Sequence, residues 1–141
     1  KDADELGQAR LAVAERFLLD YEVGKIEGRY QYQSLPNLKL ADAQFGLGLC
    51  SHLLFLYSEQ LSLDFHLASI AELLRVAQDV RIFPLLKLNG ELSPYVEAAI
   101  DKFSNEGFEV QVQTVAYEFQ KGGNQMMKII RGQAANSATE R

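Results

Sequence analysis

From Phe45 to Tyr57 the chain reads Phe-Gly-Leu-Gly-Leu-Cys-Ser-His-Leu-Leu-Phe-Leu-Tyr, an apolar run that turns small and polar at Cys50, Ser51 and His52. Residues 45–51 show no alternation of apolar with polar, so they are expected as a strand covered on both faces, between helix layers. That character suits a strand of the parallel sheet of an α/β fold. In such sheets ligands sit beyond the carboxyl ends of the strands, which places Cys50, Ser51 and His52 where chemistry is normally found.

The chain has 141 residues, enough for one domain with a core but short for a complete doubly wound enzyme. It begins Lys-Asp-Ala-Asp-Glu without an initiating methionine, and is read as a fragment or processed product. Its residues are 48% apolar and 23% charged, and no uninterrupted apolar run has the length of a membrane span, so no membrane partner is expected. The net charge is -5, with Lys and Arg scattered, which argues against non-specific nucleic-acid binding. A single cysteine forms no internal disulfide and suits a reducing cytoplasm.

Helical spacing of Leu11, Ala14, Phe17, Leu18 and Tyr21 predicts an amphipathic helix over 6–22, ending near Gly24. Arg29-Tyr30-Gln31-Tyr32-Gln33 alternates as a half-exposed strand does, and Pro36 with Asn37 breaks it. After the 45–51 strand, Ser62 or Asp64 is placed to cap a helix carrying Phe65, Ile70, Leu73, Leu74 and Ala77 inward, with Glu72 and Arg75 outward. Residues 80–86 read as a third strand. Ser93-Pro94 starts the next helix, which carries Val96, Ala99, Ile100 and Phe103 and stops at Gly107. A β-hairpin follows, Val110 to Phe119 against Met126 to Ile130 across Lys121-Gly122-Gly123-Asn124. Residues 1–131 form the folded domain, and 132–141, small and polar, read as a disordered tail.

With the segments after it, the 45–57 run resembles the C-terminal half of a class I S-adenosylmethionine-dependent methyltransferase, over most of residues 6–131. A strand-end motif of that family usually reads Phe-Asp-Leu-Val-Leu-Cys-Ser-His; Gly46 and Gly48 stand here for its aspartate and valine. No Gly-x-Gly-x-x-Gly loop occurs, so half of the expected cofactor site is missing. The resemblance implies a partial Rossmann-like methyltransferase sheet, mostly parallel, with the one antiparallel strand supplied by the C-terminal hairpin. It implies S-adenosylmethionine as cofactor, bound weakly or not at all by this chain alone, and a methyl acceptor, a small molecule or another, that the sequence does not identify. Ser34, Leu35 and Asn37 would border the adenine, and Cys50, Ser51 and His52 the methionine end. Tyr57, Phe83, Pro84 and the hairpin stretch from Tyr117 to Asn124 would line the acceptor side. The alternative is a non-catalytic methyltransferase-like interaction domain. In the family's sheet the first strand lies beside residues 45–51 and the second separates it from residues 29–33. The chain is therefore expected either to pair 29–33 directly with 45–51 or to close that edge by self-association.

Read from the residues alone, Cys50, Ser51 and His52 also invite a nucleophile activated by imidazole. Neighbouring strand residues point to opposite faces, which works against the hydrogen bond such activation requires. Cys50 as a packed thiol and His52 as a strand-end hydrogen-bonding group satisfy the same residues. No metal is expected: His66 is the only other histidine, and Glu59 and Asp64 near it fit no ligand motif.

Overall fold

A computed structural model describes residues 2–132, and the proposed disordered tail falls almost entirely outside the described residues. The elements in order are α1 (Ala3–Ile26), β1 (Phe45–Ser51), α2 (Leu63–Val76), β2 (Ala77–Phe83), α3 (Tyr95–Asn105), β3 (Phe108–Thr114) and β4 (Gln125–Arg131). They divide into two compact units, with the boundary between Gln33 and Ser34.

In the first unit Asp2 caps α1 by accepting from the Glu5 N–H at 2.8 Å. The helix forms, but the expected amphipathic stripe does not describe it. Leu11, Phe17 and Leu18 are exposed, as are Val13, Leu19, Val23 and Ile26 on other sides of the cylinder. The helix runs two residues past Gly24, which is buried because the Tyr30 ring closes over it; a Cβ there would meet Tyr30 Cδ2 at 2.6 Å. Residues 29–33 are not the expected strand. Arg29 donates twice to the Asp20 carboxylate, at 2.6 and 3.0 Å, and the Tyr30 hydroxyl donates to it at 2.9 Å. Tyr30 also packs edge-on against Phe17 and Tyr21. The alternation of aromatic and polar residues thus serves to fold the segment back on its own helix. The two donors hold the Asp20 carboxyl below its ordinary range, Arg29 first.

The second unit is a mixed α/β layer with a four-stranded sheet in the order β1-β2-β4-β3. β1 pairs with β2 in parallel, and β4 is antiparallel to both β2 and β3. One face of the sheet carries Cys50, Val80, Ile82, Met127 and Ile129, buried against Ile70 and Leu74 of α2 and Val96, Ala99 and Phe103 of α3. The helices therefore cover that face. The opposite face grades from apolar to polar: Phe45, Leu47 and Leu49 on β1, the Asp79–Arg81 ion pair on β2, and Glu109, Gln111 and Gln113 on β3.

Two strand readings need correction. β1 is an edge strand with most of its residues exposed, rather than a central one buried on both faces, because nothing pairs with it beyond β2 among the described residues. Residues 29–33 do not repair that edge. β2 begins at Ala77, immediately after α2, and ends at Phe83, three residues ahead of the predicted span. The first hairpin strand is also shorter: β3 stops at Thr114, leaving a ten-residue connection where a four-residue turn was expected, while β4 exceeds its expected span by one residue at each end.

Ser62 is the α2 cap, accepting from the Phe65 N–H at 3.1 Å, and Ser93 Oγ accepts from the Tyr95 N–H at the start of α3. Glu72 and Arg75 do not point idly outward. Glu72 accepts from the Leu38 N–H at 2.7 Å, while Arg75 donates to the carbonyls of Leu38 and Leu40 and to Asp42. This pair straps the irregular segment leading into β1 onto α2, where Leu35, Leu38 and Leu40 meet the core. Arg75→Met should lower the urea midpoint of the chain and speed exchange of the Leu38 amide, whereas Arg29→Met should leave the Leu38 amide unchanged; hydrogen exchange read by NMR separates the two.

Candidate functional site

The carboxyl ends of β1 and β2 lie side by side, with Ser51 in register with Phe83. Beyond Ser51 the chain leaves the strand abruptly. His52 adopts φ 63, and its N–H donates to the Phe83 carbonyl at 2.7 Å. This left-handed conformation is uncommon for a residue with a side chain and breaks the alternation of strand faces. Ser51 and His52 consequently do meet: Ser51 Oγ and His52 Nδ1 share a hydrogen bond of 2.6 Å. The expectation that adjacent strand residues could not form it assumed regular backbone through position 52.

The His52 ring packs edge-on against Phe119 at 4.6 Å and Phe83 at 5.7 Å between centroids, and Phe83 lies 5.7 Å from Tyr117. Phe119 and Tyr117 come from the long β3–β4 loop. Several bonds fix that loop: Val115 N–H to Asn124 O at 2.8 Å, Phe119 N–H to Gly123 O at 3.1 Å, and Gln120 Nε2 to Lys87 O at 2.9 Å. The result is an aromatic shelf at the strand ends, with the exposed Ser51 hydroxyl and the half-buried His52 at one side. Pro84 is buried behind Phe83, and Asn124 takes part through its backbone carbonyl.

Cys50 faces the helix layer and is buried, and burial pushes its thiol up from the ordinary value. It packs as a small apolar group and is poorly suited to act as a thiolate. Tyr57 sits half-buried in the β1–α2 connection, where its N–H and carbonyl bond to Leu53 and to Gln60 and Leu61. Ser34, Leu35 and Asn37 form a tight turn closed by a Ser34–Asn37 bridge, just ahead of the segment that Glu72 and Arg75 hold at the end of α2. That end of α2 runs into the start of β2, so the strapped segment is at the opposite end of the sheet from Ser51 and His52.

Reading the sequence missed His66. Its ring is 1% exposed, Nδ1–H donates to the Ser62 carbonyl at 2.8 Å, and Nε2 accepts from the Phe55 N–H at 2.9 Å. Phe55 has φ 69, so this bond holds the second left-handed residue of the connection that shapes the shelf. Both nitrogens are committed, which removes His66 as a metal ligand; Glu59 pairs with Lys87 at 3.1 Å. Among the described residues no group of three His, Cys, Asp or Glu is placed to hold a metal ion. The available signal was a histidine one turn after the Ser62 cap on an apolar helix face. Phe119, which makes the shortest ring contact with His52, lies within the Tyr117-to-Asn124 stretch expected on the acceptor side, although it was not singled out there.

No protein-family model matches the chain, and no solved structure matches it. An uncharacterized protein of Methanocaldococcus jannaschii is 36% identical over 131 residues. The match takes in 93% of this chain and 56% of that protein, so the chain spans little more than half the length of the curated relative it matches. Among the described residues no helix is long and apolar enough to cross a membrane.

Burial lowers the His66 pKa from its ordinary 6.5, outweighing the opposite pull of the Ser62 carbonyl. The unfolded chain takes up this proton at higher pH than the folded one. The stability from neutral His66 is therefore whole above the ordinary value and declines as pH falls from there through the lower folded value, by at most about 1.4 kcal/mol per pH unit. His66→Gln should abolish that slope, and should cost about 1–3 kcal/mol at pH 8 through the lost buried bonds. Urea titrations at several pH values check both.

Proposed function

We propose that the chain is the C-terminal portion of an S-adenosylmethionine-dependent methyltransferase, acting in the cytoplasm on a small-molecule acceptor. The observation that carries this reading is the convergence of Ser51, His52, Phe83 and Tyr117 at the carboxyl ends of adjacent parallel strands. Further support comes from strand direction: β1, β2 and β3 run one way and only β4, from the closing hairpin, is reversed, as a remnant of a Rossmann-like sheet would have it.

The residues present fit one end of the cofactor. Ser51 and His52, with Cys50 behind them, would border its methionine end; the Ser34–Asn37 turn, expected at the adenine, leads into the segment held at the opposite end of the sheet and is not brought together with them. When bound, S-adenosylmethionine supplies an electrophilic sulfonium methyl. The protein's part is then to align the acceptor's nucleophilic atom and exclude water. Phe83, Tyr117 and Phe119 offer an apolar surface for that, with Pro84 buried, and Ser51 fixes the His52 ring against it. The buried, unactivated thiol of Cys50 argues against a covalent intermediate. No glycine-rich loop is present to let backbone approach the cofactor.

Calorimetric titration of this chain with S-adenosylmethionine should therefore show weak or no binding. A longer natural form carrying the loop should bind, and its failure to do so while folded would overturn the reading. In an active form, His52→Ala should lower kcat about tenfold or more with the fold intact, and mass spectrometry should find no adduct on Cys50 or Ser51. A non-catalytic, methyltransferase-like interaction domain is the second reading, favoured by the open edge of β1.

A further inference from the structure

The edge of β1 is unlike the rest of the second unit's surface. Phe45, Leu47 and Leu49 are 42%, 49% and 69% exposed, and all lie on the face that the helices leave uncovered. Natural edge strands are protected by charge, proline, a bulge or brevity. From Ala43 to Ser58 there is no Asp, Glu, Lys, Arg or Pro. The register with β2 advances evenly from Phe45↔Ala77 to Ser51↔Phe83, so no bulge twists the edge away. On this face the exposed apolar side chains are on β1; β2 and β3 carry ion-paired and amide side chains, with Met126 and Ile130 of β4 half-buried between them. The unprotected surface is therefore one strand edge and the side-chain row beside it.

We propose that this edge pairs with β1 of a second copy of the chain, antiparallel and about a two-fold axis at Gly48, to make one continuous eight-stranded sheet. Identical strands related by a two-fold run antiparallel, and the sequence suits that arrangement. Leu47 of one copy then lies opposite Leu49 of the other, and Phe45 opposite Ser51, so the exposed leucines of both copies meet on one face. The chain's net charge of -5 opposes association in general, but the segment that would touch its twin is uncharged and meets no like charge across the axis. A longer form that supplied the first strand of the proposed methyltransferase sheet would cover this edge from within one chain; in the chain as described, a second copy supplies an equally uncharged strand by symmetry.

Sedimentation velocity over a concentration series, with hydrogen exchange at both ends of it, tests the proposal. A reversible dimer with a dissociation constant in the micromolar range is expected, with the amides of Phe45–Ser51 protected at high concentration and exchanging freely on dilution. Leu47→Lys with Leu49→Lys places charges at exposed positions and should weaken the dimer at least about tenfold, with circular dichroism unchanged. Gly46→Asp is the second variant, since a Cβ at Gly46 meets nothing within 4 Å and the substitution leaves packing alone. It should weaken the dimer likewise. A chain that stays monomeric at every concentration would overturn the proposal. So would a dimer whose β1 amides exchange freely, or one that persists in a folded variant of either kind.

Discussion

The connection from β1 to α2 depends on the buried imidazole of His66. Between Ser51 and Leu63 the chain must leave the sheet, turn over its top and enter a helix that packs beneath, and it does so through two left-handed residues, His52 and Phe55. Such a path strands backbone groups away from water. His66 satisfies one on each side, accepting from the Phe55 N–H and donating to the Ser62 carbonyl. Ser58 Oγ adds bonds to the Phe55 carbonyl and to Ser93 at the start of α3. With the connection fixed, His52 stands in one orientation beside Phe83 and Phe119. The chemistry of the shelf thus rests on a neutral histidine one turn into a helix, whose own charge would be costly there.

A second constraint acts at the other end of the layer. The segment preceding β1 has little regular structure, and its backbone would be poorly satisfied against a helix. Glu72 and Arg75 supply the missing partners in place of a neighbouring strand. Arg75 holds Glu72 below the ordinary carboxyl range, and the Leu38 N–H adds to that effect. The two ends of β1 are therefore held by different means, a buried neutral ring above and a partly exposed charged pair below. Its two long edges are held unequally, by β2 on one side and by nothing among the described residues on the other.

What the sequence made legible was what local chemistry decides. The bounds of β1, the Ser62 cap, the Ser93-Pro94 start of α3 and its stop at Gly107 follow from residues within a turn of each other. What it hid depended on partners distant in sequence. An apolar run such as residues 45–51 has the same composition whether it is central or at an edge. The alternation in residues 29–33 has two physical uses, and the Asp20 carboxylate nine and ten residues earlier decided for the helix. Ser51, His52, Phe83 and Tyr117 do come together, because strand ends can be located from sequence. The Ser51–His52 bond was missed because it follows from a left-handed φ, and Phe119 was not singled out within the Tyr117-to-Asn124 stretch because its place follows from loop length; residue types specify neither.

The two glycines of β1 show how far a motif comparison can be interpreted physically. Gly48 stands where the methyltransferase motif carries valine, and a Cβ there would meet the Ala77 Cβ at 3.0 Å. The close passage of Ala77, where α2 gives way directly to β2, thus disfavours a branched side chain at position 48. That departure reflects packing within this layer and says little about chemistry. Gly46 stands where the motif carries aspartate, and a Cβ there would have open space. No steric demand in the described residues removes the carboxylate. Glycine at position 46 is therefore not imposed by packing. An aspartate there would put a charge into the one strand edge that lacks any, which is the substitution expected to keep such an edge from pairing with itself.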